Sequence, residues 1–167
     1  MANATTLQFG STMSVTETLN KASLGTGSNG KVTHDQHNES ATYTSSTTPK
    51  CKEAAAIEVA LSGGAATIDL AAIAGTIANI DGSGDNILAI KFKNRTGNAV
   101  MTISEGATNG YALLGTGFTF KLLADQSATF FLDNSSPDIG ATDKTIDIAG
   151  TGTEVIDVIL VTGEGTS

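Results

Sequence analysis

From Ala54 onward, apolar and polar side chains alternate in short runs separated by turn-forming residues. A period of two marks strands with one buried face, so this region reads as all-β. AIEVALSGGAATIDLAAI (56–73) reads as two strands around Ser62-Gly63-Gly64, with Ile57, Val59 and Leu61 on one face of the first. ILAIKFKNRTGNAVMTIS (87–104) reads as a second hairpin. In it Leu88, Ile90 and Phe92 face inward, Ala89, Lys91 and Lys93 face out, and the return strand offers Ala99, Met101 and Ile103. GFTFKLLADQSATFFLD supplies Phe118, Phe120 and Leu122, then Ala128, Phe130 and Leu132, around the turn Ala124-Asp125-Gln126. KTIDIAG (144–150) is a short strand, and TEVIDVILVTG (153–163), apolar at nearly every position, reads as a central strand covered on both sides. With the N-terminal runs TTLQF and STMSVTETL, roughly ten strands emerge at the spacing of a sandwich. The expected fold is an antiparallel β-sandwich, jelly-roll-like. One helical alternative competes over Leu70–Ile80 (LAAIAGTIANI), weakened by Gly75 and Thr76.

The pattern fails between Asn20 and Glu53, where only Ala22, Leu24, Val32, Ala41, Tyr43 and Cys51 are apolar. So few apolar groups do not offset an ordering cost of about 1–2 kcal/mol per residue. The stretch is therefore expected to be an extended polar arm, either mobile or held by a neighbour. The organisation is N-terminal strands and arm over 1–53, then a β-sandwich domain over 54–167.

Composition sharpens this picture. The chain has 167 residues, 19 of them glycine, 25 threonine and 14 serine, with no tryptophan and 16% charged residues. Hydroxyl-rich, β-branched strands joined by glycine turns follow from it. The formal charge of -8 disfavours nucleic acid and anionic membranes as partners. The densest basic group, Lys91, Lys93 and Arg95, reads as solvated charge beside a turn. Cys51 is the one cysteine, which rules out an intrachain disulfide. MANATTLQFG lacks the basic and apolar regions of a secretory signal, and Val155–Val161 is too short to span a bilayer.

Several stretches imitate chemistry. Gly25, Gly27 and Gly30 have dinucleotide-loop spacing, and Gly25–Lys31 approaches a P-loop. The Ser/Thr position is Val32, however, and the following residues make a poor helix, so nucleotide binding is not expected. His34 and His37, with Asp35 between and Cys51 as the only thiol, fall short of a zinc set. Asp81, Ser83 and Asp85 begin like a calcium loop, but Asn86 stands at the glycine position and Phe92 at the bidentate glutamate. Asp133, Asn134 and Asp138 around Pro137 read as turn residues. Asp69, Asp147 and Asp157 lie in strands with nothing to pair them as glycosidase carboxylates. Sequons such as those at Asn38, Asn94 and Asn134 are expected by chance in a chain so rich in serine and threonine. No catalytic, cofactor-binding or metal-binding residue is assigned, no cofactor is expected, and the chain reads as a non-enzyme.

The succession ATIDLAAIAGT, ILAIKFKNRTGNAVMTISEGATNGYALLG, SATFFLD and KTIDIAGTGTEVIDVILVTG resembles small virion proteins of tailed bacteriophages, of the kind that decorate or cement capsids, between residues 55 and 163. The resemblance rests on strands and turns, not on a reactive motif, and stops before residue 54. It implies a homotrimer that bridges capsomers, with the major capsid protein as partner and the capsid outer surface as location, assembled in the bacterial cytoplasm. The arm would be ordered there by a sister subunit or the capsid. The alternative is a tail or fibre-associated protein, or a sandwich that binds host carbohydrate. Sugar platforms favour exposed aromatics, and here only Tyr43 and Tyr111 are on offer.

Overall fold

The computed structural model describes residues 6–13, 16–18, 31–33, 37–75, 79–132 and 134–165. Among these the chain forms β1 (Thr6–Met13), β2 (Thr16–Thr18), β3 (Lys31–Thr33), β4 (His37–Thr44), β5 (Cys51–Ala60), β6 (Ala65–Asp69) and β7 (Ile73–Ala74). The series continues with β8 (Asn79–Ile80), β9 (Asp85–Asn94), β10 (Met101–Glu105), β11 (Thr119–Leu122), β12 (Ser127–Phe131), β13 (Thr145–Ala149) and β14 (Val155–Glu164). The all-β expectation holds.

Eight strands make a sandwich of two four-stranded sheets, ordered β12-β9-β14-β5 and β11-β10-β13-β6. Every pairing given by register is antiparallel. The pairs β5/β14, β6/β13, β9/β12 and β10/β11 follow one another like a ribbon wound around the core, which is the jelly-roll path. The core between the sheets is aliphatic, with Ile68, Ile90, Met101, Ile103, Ile146, Ile148, Ile156, Val158 and Leu160 buried. Each such side chain stabilises the fold by about 1.5–3 kcal/mol relative to exposure. At one side Phe120 meets Phe92 and Phe130 edge-on, at centroid distances of 5.7 and 5.2 Å.

The three sequence-read turns do not close hairpins. β5 and β6, β9 and β10, and β11 and β12 each fall in opposite sheets. At Ser62–Gly64 the chain crosses the sandwich, held by Leu61 N donating to Glu154 O and Gly64 N to Gly152 O. The neighbouring crossing between β13 and β14 thus supplies the partners that a hairpin would have found in its own ladder. Ile57, Val59 and Leu61 do share the inward face. The helical alternative over Leu70–Ile80 is replaced by a turn and the small β7–β8 pair, Ile73 opposite Ile80; residues 76–78 lie outside the described set.

Two corrections concern facing. A bulge shifts the β9–β14 register between Val161 and Thr162, so that Ala89 faces Val161 and Ile87 faces Thr162. Leu88 is the extra residue. It leaves the main core, where Ile87 takes its place, and is buried with Cys51 and Val161 in a second cluster covered by Leu7 and Tyr43. In the return strand Met101 and Ile103 are buried, but Ala99 is exposed in the loop before β10. β14 is central in its sheet, yet it is covered on both faces only from Leu160 to Gly163, and Ile159 is 52% exposed.

The chain divides into two compact units, one of Gln8–Thr42 and one of Met1–Leu7 with Tyr43–Ser167. In the first, β2 pairs antiparallel with β3, Thr16 opposite Thr33. The second holds the sandwich.

Candidate functional site

The sequence-level candidates are held in structural roles or lie outside the described residues. Gly25, Gly27, Gly30, His34, Asp35 and Asp133 belong to the latter group. Lys31–Thr33 is strand rather than the start of a phosphate-binding helix, and His37 opens β4. Among the described residues, no three or more His, Cys, Asp or Glu side chains are placed to hold a metal ion.

The Asp81–Asn86 segment is a turn into β9. Asp81 accepts from Ser83 N at 3.0 Å, and its hydrogen bonds with Ser83 lower its pKa. Asp85 is buried and paired with Lys52. Asn86, also buried, donates to Asn134 Oδ1 at 2.7 Å. The three aspartates on strands are likewise engaged. Asp69 accepts from Lys144 Nζ at 2.9 Å and from Ala71 N. Asp147 accepts from Thr67 Oγ1 and Ala107 N at 2.6 and 2.8 Å. Asp157 accepts from Arg95 Nε at 3.0 Å on both oxygens, while Glu58 lies 2.7 Å from the same guanidinium. Hydrogen bonds to these two carboxylates raise the Arg95 pKa.

Tyr111 is fully buried, which removes it as a sugar platform. Its hydroxyl donates to Pro137 O at 2.6 Å and accepts from Ile87 N at 3.3 Å. Burial pushes its pKa up to about 12. Tyr43 is half-buried over the second cluster. Cys51 is 2% exposed, and burial raises its thiol pKa. Asn94, a sequon residue, is buried and donates to Ala99 O and Leu122 O.

Two surfaces of the sandwich have the character of contact sites. The first is a loop tip. One residue beyond the Met101–Leu122 pair stand Val100, 44% exposed, and Leu123, 53% exposed. The tip is tied from within: Asn94 N donates to Gln126 O, Leu123 N to Gln126 Oε1, and Thr96 and Lys93 both reach Asp125. Rigid loops that present aliphatic groups lose little entropy on binding. The second surface is the outer face of β12-β9-β14-β5, an open groove of about 470 Å³ lined by Ala56, Glu58, Lys91, Lys93, Asp157 and Ile159. Neither surface was assigned from sequence. The signal for the second was present, because Val155, Asp157 and Ile159 alternate against Ile156, Val158 and Leu160.

No protein-family model matches the chain, and no curated protein is similar to it. Among solved structures, it is similar to a chain described under "Bacillus endospore appendages form a novel family of disulfide-linked pili", with 21% identity, a TM-score of 0.42, and coverage of 68% of this chain and 87% of that one.

Proposed function

We propose that this protein is a non-enzymatic structural subunit that decorates and cements a bacteriophage capsid. The observation that carries this reading is the cross-tied loop tip bearing Val100 and Leu123 at the end of a rigid jelly roll. A body of this kind holds on to a neighbour through small, repeated contacts whose strength multiplies with valency. The strand carboxylates support the same reading, since Asp69, Asp147 and Asp157 are each consumed in a structural pair. The acidic, hydroxyl-rich composition suits an outer surface.

Mixing the purified protein with emptied capsids and sedimenting the particles tests the proposal. Cosedimentation at a fixed stoichiometry is expected, and Val100→Asp with Leu123→Asp should reduce it at least tenfold without changing the melting temperature. Failure to bind capsids, together with retention on host polysaccharide, overturns cementing in favour of a host-surface adhesin.

A further inference from the structure

The outer face of the β12-β9-β14-β5 sheet has an arrangement that the capsid reading does not use. Because the strand registers align, three rows run across it from β5 to β12. They are Ala54–Val161–Ala89–Phe131, Ala56–Ile159–Lys91–Thr129 and Glu58–Asp157–Lys93–Ser127. Val161 and Ala89 in the first row are buried. The second and third rows are open, with the large aliphatic Ile159 at the centre of the groove. An exposed isoleucine in the middle of a central strand, flanked by an alanine on the edge strand, leaves apolar area uncovered where a solvated face would carry polar side chains.

Charge is distributed unequally about Ile159. The β9 side carries Lys91 and Lys93, and the β5 side carries Glu58. Lys91 has no ion-pair partner among the described residues, whereas Glu58 keeps a side chain that is 69% exposed despite its contact with Arg95. A two-fold axis running along β14, between two facing copies, places β5 of one copy over β9 of the other. Ile159 then meets its own equivalent, Asp157 meets its own equivalent with each carboxylate already held by Arg95, and Glu58 meets Lys93, because the two residues occupy the same row. Such a contact is isologous and self-complementary. A two-fold axis perpendicular to the strands sets β5 against β5 and β9 against β9, bringing like charges together.

We infer that this face is a self-association surface, whose partner is a second copy of the same chain in aligned sheet-on-sheet packing. The inference stands independently of capsid binding. Four strands about 4.8 Å apart, over about six residues of about 3.3 Å rise, give a footprint of roughly 400 Å² per copy. That is about half of the roughly 800 Å² per partner in a standard stable complex. The association is therefore weak and concentration-dependent in solution, and becomes effective where copies are held close together. The charged pairs orient the two copies rather than supply the affinity.

Sedimentation equilibrium of the full chain from 10 µM to about 1 mM tests this. A monomer–dimer equilibrium is expected, and Ile159→Arg should raise its Kd at least tenfold while leaving the melting temperature unchanged, since the side chain is half exposed. Glu58→Lys should weaken the dimer, and adding Lys93→Glu to that chain should restore it, because the pair is merely reversed across the two-fold. A monomer at all concentrations, a trimer, or a dimer indifferent to Ile159→Arg overturns the inference. So does a charge reversal that fails to rescue. Cosedimentation with capsids is read on the Ile159→Arg chain, whose Lys93–Asp125 tie in the loop tip is intact, so the two proposals fail separately.

Discussion

At the scale of single residues, Tyr111 shows how a group with the look of a surface ligand becomes a structural pin. NGYALLG sits between turn signals and has no period that reveals which way its ring points. The ring is buried where the loop after β10 meets the 135–139 segment, and its hydroxyl joins Pro137 O to Ile87 N. Tyr111→Phe leaves these groups short of a partner, and a cost of about 1–3 kcal/mol at pH 7 is expected. The pH dependence has a definite sign. Burial raises the folded-state pKa to about 12 from the ordinary 10.0. The contribution is therefore complete below pH 10 and is lost as pH rises from there through 12, because the unfolded chain gives up the proton first. The loss at full titration is about 2–3 kcal/mol. Urea denaturation of the protein and of Tyr111→Phe between pH 8 and 12 checks this: their stability gap should narrow above pH 10. A constant gap would contradict a buried, hydrogen-bonded phenol.

At the scale of elements, the bulge in β9 makes a prediction that simple alternation does not. Gly163 faces Asn86 and Cys51 in the ladder. A Cβ there would stand 2.6 Å from both Cγ and Cδ2 of Leu88. Gly163→Ala should therefore overpack the second cluster, at about 1–3 kcal/mol. In a Leu88→Ala background the same change should cost at least about 1 kcal/mol less, because the clashing atoms are gone. Additive costs in a double-mutant cycle would show that Leu88 does not lie against Gly163. This element also shows how far the sequence can be read. Alternation located β5, β6, β9, β13 and β14 and most of their inward residues, since burial of one face imposes period two. It could not tell a hairpin from a crossing between sheets, because Ile57 and Val59 on β5 point into the same core as Ile68 on β6 in either case. Nor could it register the single inserted residue that turns Leu88 outward. The carboxylates were legible as strand residues, but their partners, such as Arg95 for Asp157 62 positions away, are fixed only by the assembled sheet. The contact surfaces were illegible for the same reason: Val100 and Leu123 become neighbours only once β10 pairs with β11.

At the scale of the whole molecule, the question is which part of the N-terminal third belongs to the body and which is free for attachment. Leu7 and Tyr43 cover Cys51, Leu88 and Val161, Pro49 is buried, and Lys50 pairs with Glu164 at 2.8 Å. These residues therefore contribute to the sandwich, and a clean separation falls at the compact unit Gln8–Thr42. Leu7 and Tyr43 both pack on the second cluster, so a short glycine-rich turn can replace that unit and join them. The resulting chain should melt in one cooperative transition, and Cys51 should react with a thiol reagent as slowly as in the full chain. Its cover is retained, and burial disfavours the thiolate. Cosedimentation with capsids should fall at least tenfold if the Gln8–Thr42 unit is the arm that a capsid or sister subunit orders. Rapid labelling of Cys51 would mean that the unit is needed to keep the second cluster closed. Undiminished coating by a folded, slowly labelled variant would place attachment entirely on the sandwich, with the Val100–Leu123 tip as the surface to test next.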